Sequence, residues 1–117
     1  MGYAIAEADG TPVVGFEDQA SELELGAAAR PFATITEDVS GPTSRPDGLL
    51  QGTVLGTLLQ GPLLPLNPAL ADRIAASAAT HAGADWAPSG ELAATDVLAR
   101  NATDRMRAHV RHVFSTI

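Results

Sequence analysis

The 117-residue sequence contains no cysteine and no lysine, and aromatic residues make up only 4% of it. The lack of cysteine excludes disulfide bonds, thiolate metal sites and a cysteine nucleophile supplied by this chain. The lack of lysine excludes a phosphate-binding P-loop and a Schiff-base lysine. The formal net charge of −7 disfavours nonspecific binding to nucleic acid, because such binding relies on neutralisation of phosphates by basic side chains.

Long apolar runs are also missing from the sequence. No run approaches the roughly 20 apolar residues that a bilayer-spanning helix needs. The first ten residues lack the basic region and the long apolar core of a signal peptide. We therefore expect a cytoplasmic protein with neither a membrane nor a nucleic acid as a partner. His109 and His112 are spaced so that a helix could present both to one metal, with Asp104 about one turn away, but no further His or Cys is nearby in sequence. We therefore expect no metal, and we expect no cofactor.

The first third of the sequence predicts β-structure. Residues 3–8 and 12–16 are β-prone and flank Asp9-Gly10, a pair that tolerates the positive φ angles of a tight hairpin turn. Residues 31–36 alternate in polarity and predict a third strand.

The middle of the sequence predicts a loop followed by a buried strand. Residues 38–48 hold two glycines and two prolines, which favours a loop. Residues 49–59 form the most apolar stretch, and their two internal glycines argue against a helix. We interpret 49–59 as one buried strand with an apolar edge that another chain would cover.

Two helices are predicted to follow. Asn67 is a candidate N-cap, Pro68 suits the first helical position, and Gly83 closes this helix. A second helix is predicted from a Thr95 cap to about Phe114. Its apolar stripe would comprise Leu98, Ala102, Met106, Val110 and Phe114. The connector between the helices has Trp86 as its expected apolar anchor.

These elements together predict an α/β fold in a single domain. A β-hairpin and further strands of a mixed sheet precede two C-terminal helices. Residues 1–82 would supply the strands and the first helix, and residues 83–117 the connecting loop and the last helix. Residues 1–99 carry a net charge of −10 and residues 100–117 one of +3, so the last helix is basic. That basic face is either solvated, complementing the helix dipole, or docked onto an acidic surface.

Two sequence blocks carry a family resemblance. Residues 52–72 read GTVLGTLLQGPLLPLNPALAD, and residues 14–23 read VGFEDQASEL. In order and spacing these blocks resemble the C-terminal motifs of the CobB/CobQ-like class I glutamine amidotransferases. They are most similar to the GatD-like branch, which supplies the glutaminase subunit of lipid II isoglutaminyl synthase. The resemblance covers roughly residues 3–80 and implies the C-terminal half of an amidotransferase domain and a link to peptidoglycan synthesis.

The departures from the family pattern concern its chemistry. Gln60 stands at the position of the family histidine, and an amide does not titrate near neutral pH, so it cannot act as the general base. The family's cysteine nucleophile belongs to an N-terminal half that this chain does not contain. We therefore expect no catalytic residue. The resemblance implies a binding site formed by Glu17, Gln19, Gln60 and Gly61.

The resulting hypothesis is a non-catalytic amidotransferase-like half-domain that acts as a binding or assembly module. Its partner would be a second copy, a ligase-like subunit or a cysteine-bearing half. Two alternatives stay open at this point. The chain is either one subunit of a split amidotransferase that supplies glutaminase activity together with a cysteine-bearing chain, or a truncated gene product without selected activity.

Overall fold

The computed structural model describes residues 1–110, and within them the chain forms six strands and three helices. The strands are β1 (Gly2–Ala8), β2 (Thr11–Glu17), β3 (Ala33–Asp38), β4 (Gly41–Asp47), β5 (Leu49–Gln51) and β6 (Val54–Gly56), and the helices are α1 (Leu63–Leu66), α2 (Pro68–His81) and α3 (Ala93–His109). One sheet has the order β2-β1-β3-β4, and β5 pairs with β6 in a second sheet. The predicted α/β class is confirmed, and each described strand pair is antiparallel.

The first hairpin has the predicted turn. Ala8 pairs with Thr11, which leaves Asp9 and Gly10 as a two-residue loop with φ angles of 49° and 78°. Two consecutive positive φ angles define a type I′ turn, whose twist matches that of the flanking strands. The local Asp-Gly signal is therefore sufficient to set the register of β1 against β2.

The loop predicted at residues 38–48 is wrong, because most of this segment forms β4. It pairs with β3 from Ala33 opposite Asp47 to Asp38 opposite Gly41. Proline cannot donate to a ladder and is confined to sheet edges, and β4, which contains Pro42, is an edge strand of its sheet. The prolines that suggested a loop thus mark an edge strand instead.

The single buried strand predicted at residues 49–59 is also wrong. The segment folds into the β5–β6 hairpin, with Gly52 at a φ of 58° as the first of two turn residues. Glycine at that position is typical of a type II′ turn. Leu59 is buried in the main core, whereas Val54 is exposed on the hairpin. The apolar stretch is therefore folded back on itself and divided between two environments.

The main core lies on one face of the four-stranded sheet. Its centre consists of small side chains from β1 and larger ones that cover them: Ala4, Ala6, Ala8, Val13, Phe32, Ala33, Ile35, Leu59 and Leu70. Alanines let the covering layer approach closely, which suits a chain with few aromatic residues. The covering layer is also close to β2 at Gly15, where an added Cβ would lie 2.7 Å from the Cβ of Leu59.

The side chain of Asn67 fastens the helical part of the chain to β2. The Val14 N–H donates to Asn67 Oδ1 at 2.8 Å, and Asn67 Nδ2 donates to the Val14 carbonyl at 2.7 Å. Nδ2 also donates to the Leu63 carbonyl at 2.6 Å. Asn67 does precede α2 as predicted, but its side chain makes no capping hydrogen bond to that helix. The buried amide instead pairs with the strand as a backbone peptide group would.

The last helix differs from its prediction at its start and in its buried face. α3 begins at Ala93, two residues before the predicted Thr95 cap, and Leu98 of the predicted stripe is 69% exposed. Ala102 and Met106 are half-buried and Val110 is buried. Phe114 and His112 lie outside the described residues.

Two further predictions concern the end of α2 and the connector that follows it. Gly83, with a φ of 71°, follows the end of α2 as predicted, and its N–H donates to the Thr80 carbonyl. Trp86 is 41% exposed, so it is only partly an apolar anchor.

The double role of the Asn67 amide predicts that Asn67→Asp lowers the free energy of unfolding by about 3 kcal/mol. A carboxylate can still accept from the Val14 N–H, but it leaves the Val14 and Leu63 carbonyls without a donor and buries a charge. Urea denaturation measures the effect. Asn101→Asp, on the exposed side of α3, is the matched control and should stay within about 0.5 kcal/mol of the parent. Equal stability of the two variants would show that Asn67 acts only as a helix cap, where Asn and Asp are equivalent.

Candidate functional site

Gln60, which stands where the resemblance places a catalytic histidine, lies against the end of β2. Its N–H donates to the Phe16 carbonyl at 2.7 Å, and the Phe16 N–H donates to its carbonyl at 3.3 Å. Its side-chain Nε2 donates to the Asp18 carbonyl at 2.9 Å. Gly61 follows, joined to Pro62 by a cis peptide bond. Gln60 is thus held in place by hydrogen bonds of both its backbone and its side-chain amide.

Glu17, at the end of β2, belongs to a cluster of charged side chains. Nη1 of Arg45 donates to Glu17 Oε1 at 2.7 Å, and Nη2 donates to Glu17 Oε2 and, at 3.2 Å, to Asp38 Oδ2. These hydrogen bonds, that to Glu17 above all, raise the pKa of Arg45 above its ordinary value. Because β2 and β4 are the two outer strands of the sheet, this cluster ties its opposite edges together. No sequence pattern indicated Arg45 or Asp38 as partners of Glu17.

A groove of about 470 Å³ opens beside this cluster, with an acidic and polar lining. It is lined by Met1, Gly2, Tyr3, Glu17, Gln19, Ala20, Ser21, Glu22, Asp38, Val39, Ser40 and Arg45. Glu17 and Gln19 therefore line the same groove. Gln60 and Gly61 are not among its lining residues.

The chemistry open to this groove is limited by the pairing of its charges. The carboxylates of Glu17 and Asp38 both accept hydrogen bonds from Arg45, whereas Gln19 and Glu22 are exposed. Among residues 1–110, no group of three His, Cys, Asp or Glu side chains is placed to hold a metal ion. Glu17 thus serves as a paired structural carboxylate, and the exposed side chains of Gln19 and Glu22 leave acceptors for a ligand that donates hydrogen bonds.

Comparison of the chain with protein-family models, with curated proteins and with solved structures gives no match. In the part of the chain that the structure describes, no helix is long and apolar enough to cross a membrane.

The shared position of Arg45 predicts that Arg45→Met destabilises the fold by about 2 kcal/mol, because two partly buried carboxylates lose their cation. Arg105→Met, at an exposed position on α3, removes the same charge and should change stability by less than about 0.5 kcal/mol. Urea midpoints of both variants test this. In an Arg45→Met and Glu17→Gln double variant the losses should be less than additive, since one carboxylate charge is also removed. Equal midpoints for the two single variants would contradict a structural role of the cluster.

Proposed function

We propose that this chain is a non-catalytic, GatD/CobQ-like half-domain that acts as a binding or assembly module. Its proposed compartment is the cytoplasm, and the resemblance suggests peptidoglycan synthesis as its setting. The observation that carries the proposal is a set of apolar side chains left exposed at the start of α3. The position of Gln60 supports its non-catalytic part, because neither its amide nor its paired backbone can take up a proton near neutral pH.

The exposed side chains form what we name the α3 patch, consisting of Leu92, Val97 and Leu98. They are 65%, 48% and 69% exposed. Residues 94, 97, 98 and 101 share one side of a helix, so Val97 and Leu98 lie on the outer side of α3, and Leu92 is exposed at the N-cap just before it. Clustered exposed apolar side chains mark interaction surfaces in soluble proteins. The patch therefore favours contact with another polypeptide.

The opposite side of α3 fixes the helix to the domain. The Thr103 hydroxyl is hydrogen-bonded to the Leu66 carbonyl, and α3 contacts α1, α2 and β2. Because this contact holds the inner side of α3, the α3 patch is presented on an anchored helix. A partner that binds it does not have to order the helix first.

A second copy of the chain is the partner that the charges favour, ahead of a ligase-like subunit or a cysteine-bearing half. α3 holds Arg100, Arg105 and Arg107 against two aspartates and so has a net charge of +1, whereas residues 1–92 carry a net charge of −9. The basic helix of one copy can therefore approach the acidic body of another, with the α3 patch excluding water at the contact.

Self-association through the patch predicts that Leu98→Glu weakens the dimer at least about tenfold, because it removes a buried Leu and places a charge in the contact. Sedimentation velocity over a range of protein concentrations measures the dissociation constant. Asn101→Glu, which adds the same charge on the same side of α3, is the control and should weaken association less. A parent chain that sediments as a monomer at every concentration would overturn assembly with a second copy.

The non-catalytic part of the proposal predicts that the isolated chain releases no ammonia from glutamine. Gln60→His should stay equally inactive, because a base without a nucleophile cannot form the thioester. A coupled glutamate dehydrogenase assay detects either product. Ammonia release by the parent chain would contradict the proposal. Release only after a cysteine-bearing half is added would favour the split-enzyme alternative.

A further inference from the structure

A second groove, distinct from the acidic one, lies between α2 and the β5–β6 hairpin. It has a volume of about 630 Å³. Leu50 and Leu55 of the hairpin and Leu70 and Ile74 of α2 contribute apolar surface to it. Both hairpin leucines and Ile74 are only partly buried against the main core, so each keeps part of its surface toward the groove.

The net charge of the residues that line this groove is opposite in sign to the net charge of the whole chain. They are Arg30, Arg73 and Asp9, which leave one positive charge in excess in a chain of net charge −7. His81 also lines the groove, about 12 Å along α2 from Arg73 at 1.5 Å per residue. The groove therefore combines an apolar wall with a cationic end.

Arg30 is the cation that is available to a ligand. Arg73 donates to the Ala8 carbonyl at 3.1 Å and to Asp9 Oδ2 at 3.2 Å. Arg30 approaches Asp9 only to 3.7 Å, and its side chain is 62% exposed. An ion pair this long and this exposed contributes little to stability. The Arg30 guanidinium can therefore turn toward an added anion with only a small loss of free energy.

We propose that this groove binds a small amphipathic carboxylate. The apolar chain lies along Leu55 and Ile74, and the carboxylate pairs with Arg30, whose planar guanidinium suits two parallel hydrogen bonds to it. A volume of about 630 Å³ falls in the range of small-molecule sites, which are mostly apolar with a few polar groups that fix orientation. The inference does not depend on the α3 patch, because α3 does not line this groove.

Decanoate below its micelle concentration is the probe, with decanol and decyltrimethylammonium as its uncharged and cationic counterparts. Titrations followed by amide chemical shifts should show decanoate binding at least about tenfold more tightly than either counterpart, with shifts centred on residues 50–55 and 74–78. Arg30→Gln should weaken decanoate about fivefold to tenfold and leave decanol unchanged, whereas Arg105→Gln should change neither. Equal affinity for the three probes would overturn the proposal.

A steric variant tests the location independently of charge. Ser77→Trp places a large ring in the groove from an exposed position on α2, and it should abolish decanoate binding. Thr80→Trp, also exposed on α2 but not lining the groove, should leave binding within about twofold of the parent. Retained binding in Ser77→Trp would place the ligand elsewhere and overturn the assignment.

Discussion

The outer edge of β2 is the constraint on which the rest of the structure depends. In a two-residue hairpin the residues next to the turn exchange hydrogen bonds, so alternate residues along β2 direct their backbone groups away from β1. Three positions face outward in this way. Pro12 has no N–H to satisfy, Val14 is paired by the Asn67 amide, and Phe16 is paired by the backbone of Gln60. Closing this edge requires residues 57–67 to run beside β2, and that path brings α2 over the alanine face of the sheet.

Sequence patterns predicted the elements whose geometry is decided locally. Asp9-Gly10 determines its own turn, and Pro68 begins a helix wherever it follows a suitable residue. The predictions for residues 38–59 were wrong because the same prolines and glycines are compatible with a loop, an edge strand or a hairpin turn. The partner strand decides which of these structures is formed, and for β4 that partner is β3. The hydrogen bonds of the Asn67 side chain could not be predicted for the same reason, since their partner Val14 lies 53 residues away in the sequence.

The motif block that carries the family resemblance contains both residues that close the edge of β2. Gln60 acts there through its backbone, and Asn67 acts through an amide that must both donate and accept. These two residues of the block therefore have a structural role that does not require catalytic activity. The motif could single out Gln60, but it could not show the Arg45 cluster, because Arg45 meets Glu17 only once β2 and β4 are in place. The surfaces of this chain that remain open to a partner or a ligand include the α3 patch and the two grooves.

The separation of Val14 from Asn67 along the chain also bears on synthesis at the ribosome. β1 and β2 are complete within the first 17 residues, whereas the amide that covers their open side is added 53 residues after Val14. At ~5–20 residues per second, about 3–10 s pass between the synthesis of Val14 and that of Asn67, and during this time the outer edge of β2 lacks its cover. During that interval neighbouring nascent chains on a polysome can add to it as strands. Delayed covering makes the emerging polypeptide more prone to aggregation than the finished protein.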